Sequence, residues 1–375
     1  MKLHCHRSSL VTAFQVVGAV VPTRTPKDIL KNVKLQATDG TATLTGTDQE
    51  IGIRYEIPGV ESESDGEVLL PAAHLLSILR ELSDEHVDLE LVDGGFWVRA
   101  GHSEFRLPTP DAEEFPPVPS FTDENYLLIS GRSLREAVRR TVFATDVEST
   151  RYALGGVLLE LESEALTMVA TDSRRLAVVR NSCRTEGTAE LANDRPVVPS
   201  KALSLAERSI SDDEAEVFVA VHANDVVIKT GNSTISSRLV DGRFPNYRQV
   251  IPAESRLTIA LVVEPFYSAV RKAQLVTDND SRGVDFCFTS GLLTLNSQSA
   301  DIGQSKVELP IGYDGDDLII TFDPRFVAEF LRVLEPETSI RLELIDDESA
   351  AVFRVDESYT YVIMPLSRTQ RDSRP

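Results

Sequence analysis

One pattern constrains this chain above all others: it repeats itself three times, at a spacing of roughly 125 residues. A helix-like segment reads Ser9-Leu10-x-x-Ala13-Phe14, then Ser133-Leu134-x-x-Ala137-Val138, then Pro265-Phe266-x-x-Ala269-Val270. A second segment opens at Pro71, at Pro199 and at Asp323. Phe115-Pro116 returns as Phe244-Pro245, and Thr47-Asp48 returns as Thr171-Asp172. Solenoid repeats run at roughly 20–50 residues, so this longer period predicts repeated domains. Three equivalent modules also predict a molecule built by symmetry, and symmetric arcs tend to close.

The chain has 375 residues, enough for three domains. Turn-forming runs near Pro119-Ser120 and Pro252-Ala253 place the domains at 1–121, 122–253 and 254–375. Within each, the order reads strand, helix, several strands, helix, several strands. Ala42-Thr43-Leu44-Thr45-Gly46 and Val157-Leu158-Leu159-Glu160-Leu161 have strand character. Asp93-Gly94-Gly95 ahead of Phe96-Trp97-Val98 predicts a hairpin. Ser133 and Glu136 predict a capping box ahead of Leu134, Ala137, Val138, Thr141 and Val142. The acidic run at 61–67 reads as an exposed loop. The expected class is α+β, with two helices per domain laid on antiparallel sheets.

Three scattered cysteines, Cys5, Cys183 and Cys287, fit a reducing compartment and no disulfide framework. No apolar run of 18 or more residues exists, so no spanning helix is expected. The stretch from Val11 to Pro22 could pass for a signal-peptide core, but Gln15 interrupts it and it aligns with the other two repeats. A cytoplasmic location is expected.

The net charge of −21 argues against a conventional nucleic-acid surface, which needs clustered lysine and arginine. It is a bulk quantity, however, and says nothing about distribution. Arg132, Arg135 and Arg139 fall opposite the apolar stripe of their helix, and Arg271 and Lys272 do likewise in the third repeat. Arg80, Arg208 and Arg332 share one offset in the second helices. Such faces could track phosphates without reading bases. They are also what any amphipathic helix turns to solvent, and Glu81 and Glu207 sit beside two of them.

Catalytic patterns are sparse. His4 and His6 share a strand face, but a metal needs further ligands, and histidines facing solvent on a first strand suffice. Asp48 and Asp172 could belong to a carboxylate–metal enzyme. An aspartate after a strand more often caps a turn. There is no phosphate-binding glycine loop, nucleophile elbow or CxxC, so neither cofactor nor metal is expected.

Val169-Ala170-Thr171-Asp172-Ser173-Arg174-Arg175-Leu176-Ala177 resembles the ATDGHRLA motif of bacterial DNA polymerase sliding clamps, the beta subunit of the replicative polymerase. Ser236-Ser237-Arg238-Leu239-Val240-Asp241-Gly242-Arg243-Phe244-Pro245-Asn246-Tyr247 matches that family's SKLVDGRFPDY segment almost throughout. Leu44 to Asp48, Arg151-Tyr152 and Tyr361 to Pro365 follow in the family's order, so the resemblance covers the whole chain.

The resemblance implies a non-enzymatic processivity factor for DNA replication. Three clamp domains form a half-ring, and two subunits join head to tail with sheets outside and helices lining the hole. Duplex DNA is then held topologically, so weak non-specific contact suffices and an acidic exterior is tolerable. DNA-facing candidates are Arg24, Arg139, Arg151, Tyr152, Lys201, Arg271 and Lys272. Of these, Arg24 and Arg151-Tyr152 match family positions, and the rest follow from helix faces. A hydrophobic groove between the second and third domains would take peptides from the polymerase, clamp loader and repair proteins.

Groove matches are Leu154, Thr171, Arg175, Leu176, Pro245, Val250, Val362, Met364 and Pro365, although Leu154 and Leu176 could equally be plain core. Phe105 and Leu107 against Leu275 and Val276 would form the dimer interface. Ser173, Arg174 and Gln249 depart from the family's usual residues, which bears on peptide preference. Beyond Leu366 comes a polar, basic tail, Ser367 to Pro375, expected to be disordered and placed to modulate the groove. A carboxylate–metal enzyme predicts that replacing Asp48 or Asp172 abolishes function, whereas a clamp predicts mainly lost stability. A scaffold without a DNA role predicts peptide binding without ring formation.

Overall fold

The computed structural model describes residues 1–92, 95–146, 148, 152–162, 164–187, 195–278 and 282–366. Six helices fall in pairs along the chain: α1 (Arg7–Gly18), α2 (Ala72–Glu81), α3 (Gly131–Thr141), α4 (Ser200–Ser209), α5 (Val263–Gln274) and α6 (Pro324–Arg332). Each first helix follows a short strand, and each second helix follows a longer run of strands, as the repeat predicts.

The first helices bury the same four positions. Leu10, Ala13, Phe14 and Val17 of α1 are buried, as are Phe266, Ala269, Val270 and Ala273 of α5. In α3 they are Leu134, Ala137, Val138 and Thr141. The i, i+3, i+4, i+7 spacing puts all four on one stripe. Burying a phenylalanine such as Phe266 stabilises by about 2–3 kcal/mol. The last position of the middle copy is polar, and Thr141 Oγ1 satisfies itself by donating to the Ala137 carbonyl at 2.7 Å.

The fold comprises two compact bodies. The first holds residues 1–135 and 182–239, and the second holds 136–181 with those from 240 on. Neither coincides with whole repeats, because sheets cross the repeat boundaries. In the first body, strand Ile51–Glu56 of the first repeat pairs antiparallel with Ser233–Arg238 of the second, with Gly52 opposite Ser236. In the second body, Arg175–Ser182 pairs with Tyr359–Ile363, with Leu176 opposite Val362. Each repeat thus satisfies an exposed strand edge with its neighbour's strand.

The remaining two sheets are antiparallel, each combining hairpin-linked strands with a strand paired across a longer connection. In the first body, Lys2–His6 lies between Val60–Ser64 and His86–Val92, followed by Gly95–Ala100 and Ser103–Leu107. In the second body, Gly303–Pro310, Leu292–Ser299, Val284–Thr289 and Leu318–Phe322 form a four-stranded sheet.

Three local expectations need adjustment. Residues 61–67 are not a loop: they belong to the exposed strand Val60–Ser64 and the start of Gly66–Pro71. The strand pairs with Lys2–His6, so its glutamates lie on a solvated edge rather than a free turn. Helix α3 starts earlier than the Ser133 capping box implies. The Ser130 hydroxyl accepts from the Ser133 amide at 3.2 Å, and Glu136 pairs with Arg140 instead. Val142 falls in a following 3-10 turn, Val142–Ala144. The expected hairpin does form, with Val92 opposite Gly95, while Asp93 and Gly94 lie outside the described residues.

Candidate functional site

A cluster of polar and aromatic contacts in the second body lies where the second and third repeats pair. A tight turn leads into it. Asp172 Oδ1 accepts from the Arg174 and Arg175 amides at 2.9 and 3.0 Å, and Thr171 Oγ1 donates to the Arg175 carbonyl at 2.6 Å. Ser173 sits at the tip in the left-handed region, φ +74°. The first repeat builds the same turn: Asp48 Oδ1 accepts from the Glu50 and Ile51 amides, and Gln49 takes φ +80°. Both aspartates therefore hold turns, and Asp48 also receives Lys201 Nζ at 2.7 Å.

Arg175 leaves this turn and enters the protein, with its side chain only 9% exposed. Its Nε donates to Asp172 at 3.0 Å, one terminal nitrogen to the Phe143 carbonyl at 2.6 Å, and the other to Glu329. The guanidinium lies 4.6 Å from the Phe326 ring centre and 5.3 Å from Phe143. Burial opposes its charge, but Tyr361, Glu329 and Asp172 together raise its pKa above the ordinary arginine value. A cavity of about 470 Å³ opens beside it, lined by Arg174, Arg325 and Phe326 among others.

The partner strand is held from beneath. Phe330 stacks on Tyr361 at 4.8 Å, and Tyr361 donates its hydroxyl to the Phe326 carbonyl at 3.0 Å. Tyr359 donates to the Arg140 carbonyl at 2.9 Å. The chain then leaves the strand along the turn, with the Met364 amide donating to the Arg174 carbonyl at 2.8 Å and that of Leu366 to Thr321. Leu176 and Val362 are buried as direct cross-strand partners, while Met364 is 44% exposed. Apolar surface of this kind beside a buried floor can receive an apolar side chain of another molecule.

The other groove candidates arrive on two separate segments. Leu154 is buried in the 3-10 turn Tyr152–Gly155. Pro245 and Val250 flank a second 3-10 turn, Tyr247–Val250, where Val250 is 50% exposed. Gly242 passes Ala153, and the Tyr247 hydroxyl reaches Glu160 at 2.6 Å, so the second segment lies against the first. Thr171 and Arg175 act as braces through the bonds above. Gln249 is exposed and Pro365 half-buried. The tail, Ser367 to Pro375, is outside the described residues.

Glu160, Tyr247, Phe143 and Glu329 were not among the sequence candidates. Only Glu160 had a local signal, being a charged residue inside the buried strand Gly156–Glu162.

The basic candidates divide. Arg24, Arg139, Lys201, Arg271 and Lys272 are all exposed, and Lys201 also pairs with Asp48. Arg151 lies outside the described residues, as does the side chain of Tyr152. Arg135 is not on an open face: it pairs with Asp213 and donates to the Ile210 carbonyl at 2.6 Å. Arg132 pairs with Glu214. Arg80, Arg208 and Arg332 all fall in the last turn of their helices, where a cation also complements the helix dipole. His4 Nδ1 donates to Asp88 at 2.7 Å, and its ring stacks on His86 at 5.0 Å. Among the described residues no group of histidine, cysteine, aspartate and glutamate side chains is arranged to hold a metal.

Models of the three domains of the DNA polymerase III beta subunit match this chain in order. The N-terminal domain covers residues 1–119, the central domain 128–246 and the C-terminal domain 248–367. The chain belongs to the beta sliding clamp family. A beta sliding clamp of Synechococcus elongatus is 31% identical over 98% of this chain and 99% of its own length. That of Chlamydia muridarum is 28% identical over 98% and 99%.

Among solved structures, the DNA polymerase sliding clamp from Bacillus subtilis matches with a TM-score of 0.91 at 28% identity, covering 98% of this chain and 99% of its own. The sliding clamp from Pseudomonas aeruginosa bound to griselimycin matches at 0.90 with the same identity and coverage. The chain is accordingly a non-catalytic DNA polymerase processivity factor of α+β clamp domains. No described helix is long and apolar enough to cross a membrane.

Proposed function

We propose that two copies of this chain, each of three modules bounded near residues 121 and 253, join head to tail in the cytoplasm around duplex DNA. Leu275 carries the interface: it is a large apolar side chain, 74% exposed, at the end of α5. With half-exposed Val276 beside it, it offers apolar surface that a partner could cover. Half-exposed Phe105 and neighbouring Leu107, on the strand Ser103–Leu107, are its counterparts on the second copy. Arg24, Arg139, Arg271 and Lys272 face the DNA without reading bases, together with Arg151 and Tyr152.

The paired strands of the second and third repeats form the partner site. Leu176 and Val362 floor an apolar slot walled by Val250 and Met364, with Leu154, Pro245 and Pro365 around it. It takes short linear peptides from the replicative polymerase, the clamp loader and repair proteins. A preformed slot of this kind captures one or two side chains of an extended peptide. Tethering then raises the effective concentration of polymerase at its template without catalysis.

The test is retention on nicked circular DNA after loading with the cognate loader and ATP. Retention that disappears when the circle is cut is the expected result. Binding that persists on linear DNA would replace topological linkage with an ordinary DNA-binding surface.

A further inference from the structure

Building on the groove proposed above, we infer that Glu160 is its positioning residue, acting through the turn Tyr247–Val250 that carries the Val250 wall. This turn lies in the segment linking the strands Ser233–Arg238 and Leu257–Val262. It is a single 3-10 turn, and its own backbone bonds are local: the Tyr247 amide donates to Pro245 and the Gln249 amide to Asn246. Side-chain hydrogen bonds tie it to the strand Gly156–Glu162: Arg248 reaches both Glu160 and Glu162, and Glu160 alone also receives Tyr247. The Tyr247 hydroxyl donates to Glu160 Oε2 at 2.6 Å, and the Arg248 guanidinium donates to the same oxygen at 2.9 Å.

Glu160 belongs to the strand Gly156–Glu162 and is 8% exposed. From Leu158 to Glu162 its strand pairs with Ala165–Thr171, the strand that leads into the Asp172 turn, and this pairing holds Glu160 in place. The carboxylate therefore transmits the sheet's position to a loop that the backbone alone does not fix. Arg248 continues outward to Glu162, which Arg180 also engages, and it lies 5.2 Å from the Tyr247 ring centre. Burial and the Glu160 bond both push the Tyr247 hydroxyl pKa above its usual value, so it remains a donor throughout the working pH range.

A strand carboxylate facing solvent would have no need of two convergent donors. A buried one does, because leaving either lone-pair set unsatisfied is expensive. The groove wall is thereby set by polar bonds, while its lining stays apolar.

The experiment measures binding of a short synthetic peptide, two adjacent leucines flanked by polar residues, to the full-length chain by titration calorimetry. Variants are Glu160→Gln, Tyr247→Phe, Val250→Ser and, as a stability control, Tyr313→Phe. Tyr313 gives an equivalent buried hydroxyl bond, to the Asp316 carbonyl at 2.6 Å, in a part of the second body outside the groove. Glu160→Gln and Tyr247→Phe should each weaken binding about tenfold, the size of one lost buried hydrogen bond. Amide exchange should quicken at 248–251 and not in the strand Arg175–Ser182, and Tyr313→Phe should bind as wild type. Equal weakening in Tyr313→Phe would reduce the effect to general stability and overturn the inference. So would wild-type affinity in Glu160→Gln and Tyr247→Phe while Val250→Ser weakens binding. If wild type does not bind, or Val250→Ser makes no difference, the groove itself is misassigned and the inference falls with it.

Discussion

Arg175→Ile tests how the site's buried charge is balanced, because the first repeat carries out the substitution naturally. There the matching turn, with the same threonine and aspartate bonds, is followed by buried Ile51. The turn itself therefore tolerates the change, and any cost comes from the groups Arg175 leaves behind. The Phe143 carbonyl loses its 2.6 Å donor, worth about 1–2 kcal/mol if it stays buried. Asp172 loses one of three donors but keeps two amides, which costs about 1 kcal/mol.

Glu329, with 38% of its side chain exposed, can return to water at little cost. Packing of isoleucine against Phe143 and Phe326 offsets part of the sum. The expected loss is about 2 kcal/mol, below the roughly 3–5 kcal/mol for breaking a wholly buried pair. Urea denaturation followed by far-UV circular dichroism measures it, and amide exchange at 173–176 localises it. A loss under about 0.5 kcal/mol would mean that the bonds to Phe143 and Asp172 contribute nothing net. Conversely, a loss above about 4 kcal/mol would mean that Glu329 cannot resolvate.

Ser173→Gly should stabilise by about 0.5–1 kcal/mol in the same assay, since φ +74° is costly for any residue with a Cβ. Gly52→Ala should destabilise by about 1–3 kcal/mol, because the new methyl would sit 2.6 Å from Val118 Cγ1 and 3.0 Å from Ser236 Oγ. His222 bridges Asp225 at 2.6 Å and Asp123 at 2.7 Å, and these bonds raise its pKa against the opposing effect of burial. Its contribution is complete below the unfolded histidine pKa and is lost as pH rises through the higher folded value. Wild type should accordingly lose stability relative to His222→Gln as pH rises above the ordinary histidine pKa of about 6.5, by at most about 1 kcal/mol given the imidazole's 40% exposure. Leu275→Asp should shift sedimentation from dimer toward monomer at micromolar concentration while leaving the circular dichroism spectrum unchanged.

Much of the architecture was legible because it depends on local periodicity. The four-position stripe of Leu10, Ala13, Phe14 and Val17 recurs at the expected spacing, and a stripe of that kind can only bury itself as a helix face. The Thr–Asp turns were legible too, since a short carboxylate closing the amides two and three residues on is a contact within one segment. So was the family, whose motifs are contiguous.

Long-range pairing was not. Nothing in the local composition of 61–67 distinguishes a charged edge strand from a charged loop, because what makes it a strand is the distant segment Lys2–His6. Arg135 looked solvent-facing from its helix position, yet Asp213 and the Ile210 carbonyl, far along the chain, take it up. The same holds for the charge budget of the site: the sequence alone determined three domains, their helices and turns, and the kinship. Only the tertiary structure decided that Arg175 is a buried brace, that Lys201 is matched by Asp48, and that Glu160 anchors the turn at 247–250. Periodicity is a property of neighbouring residues, whereas the partner of a charge is fixed by which remote segments the sheets bring together.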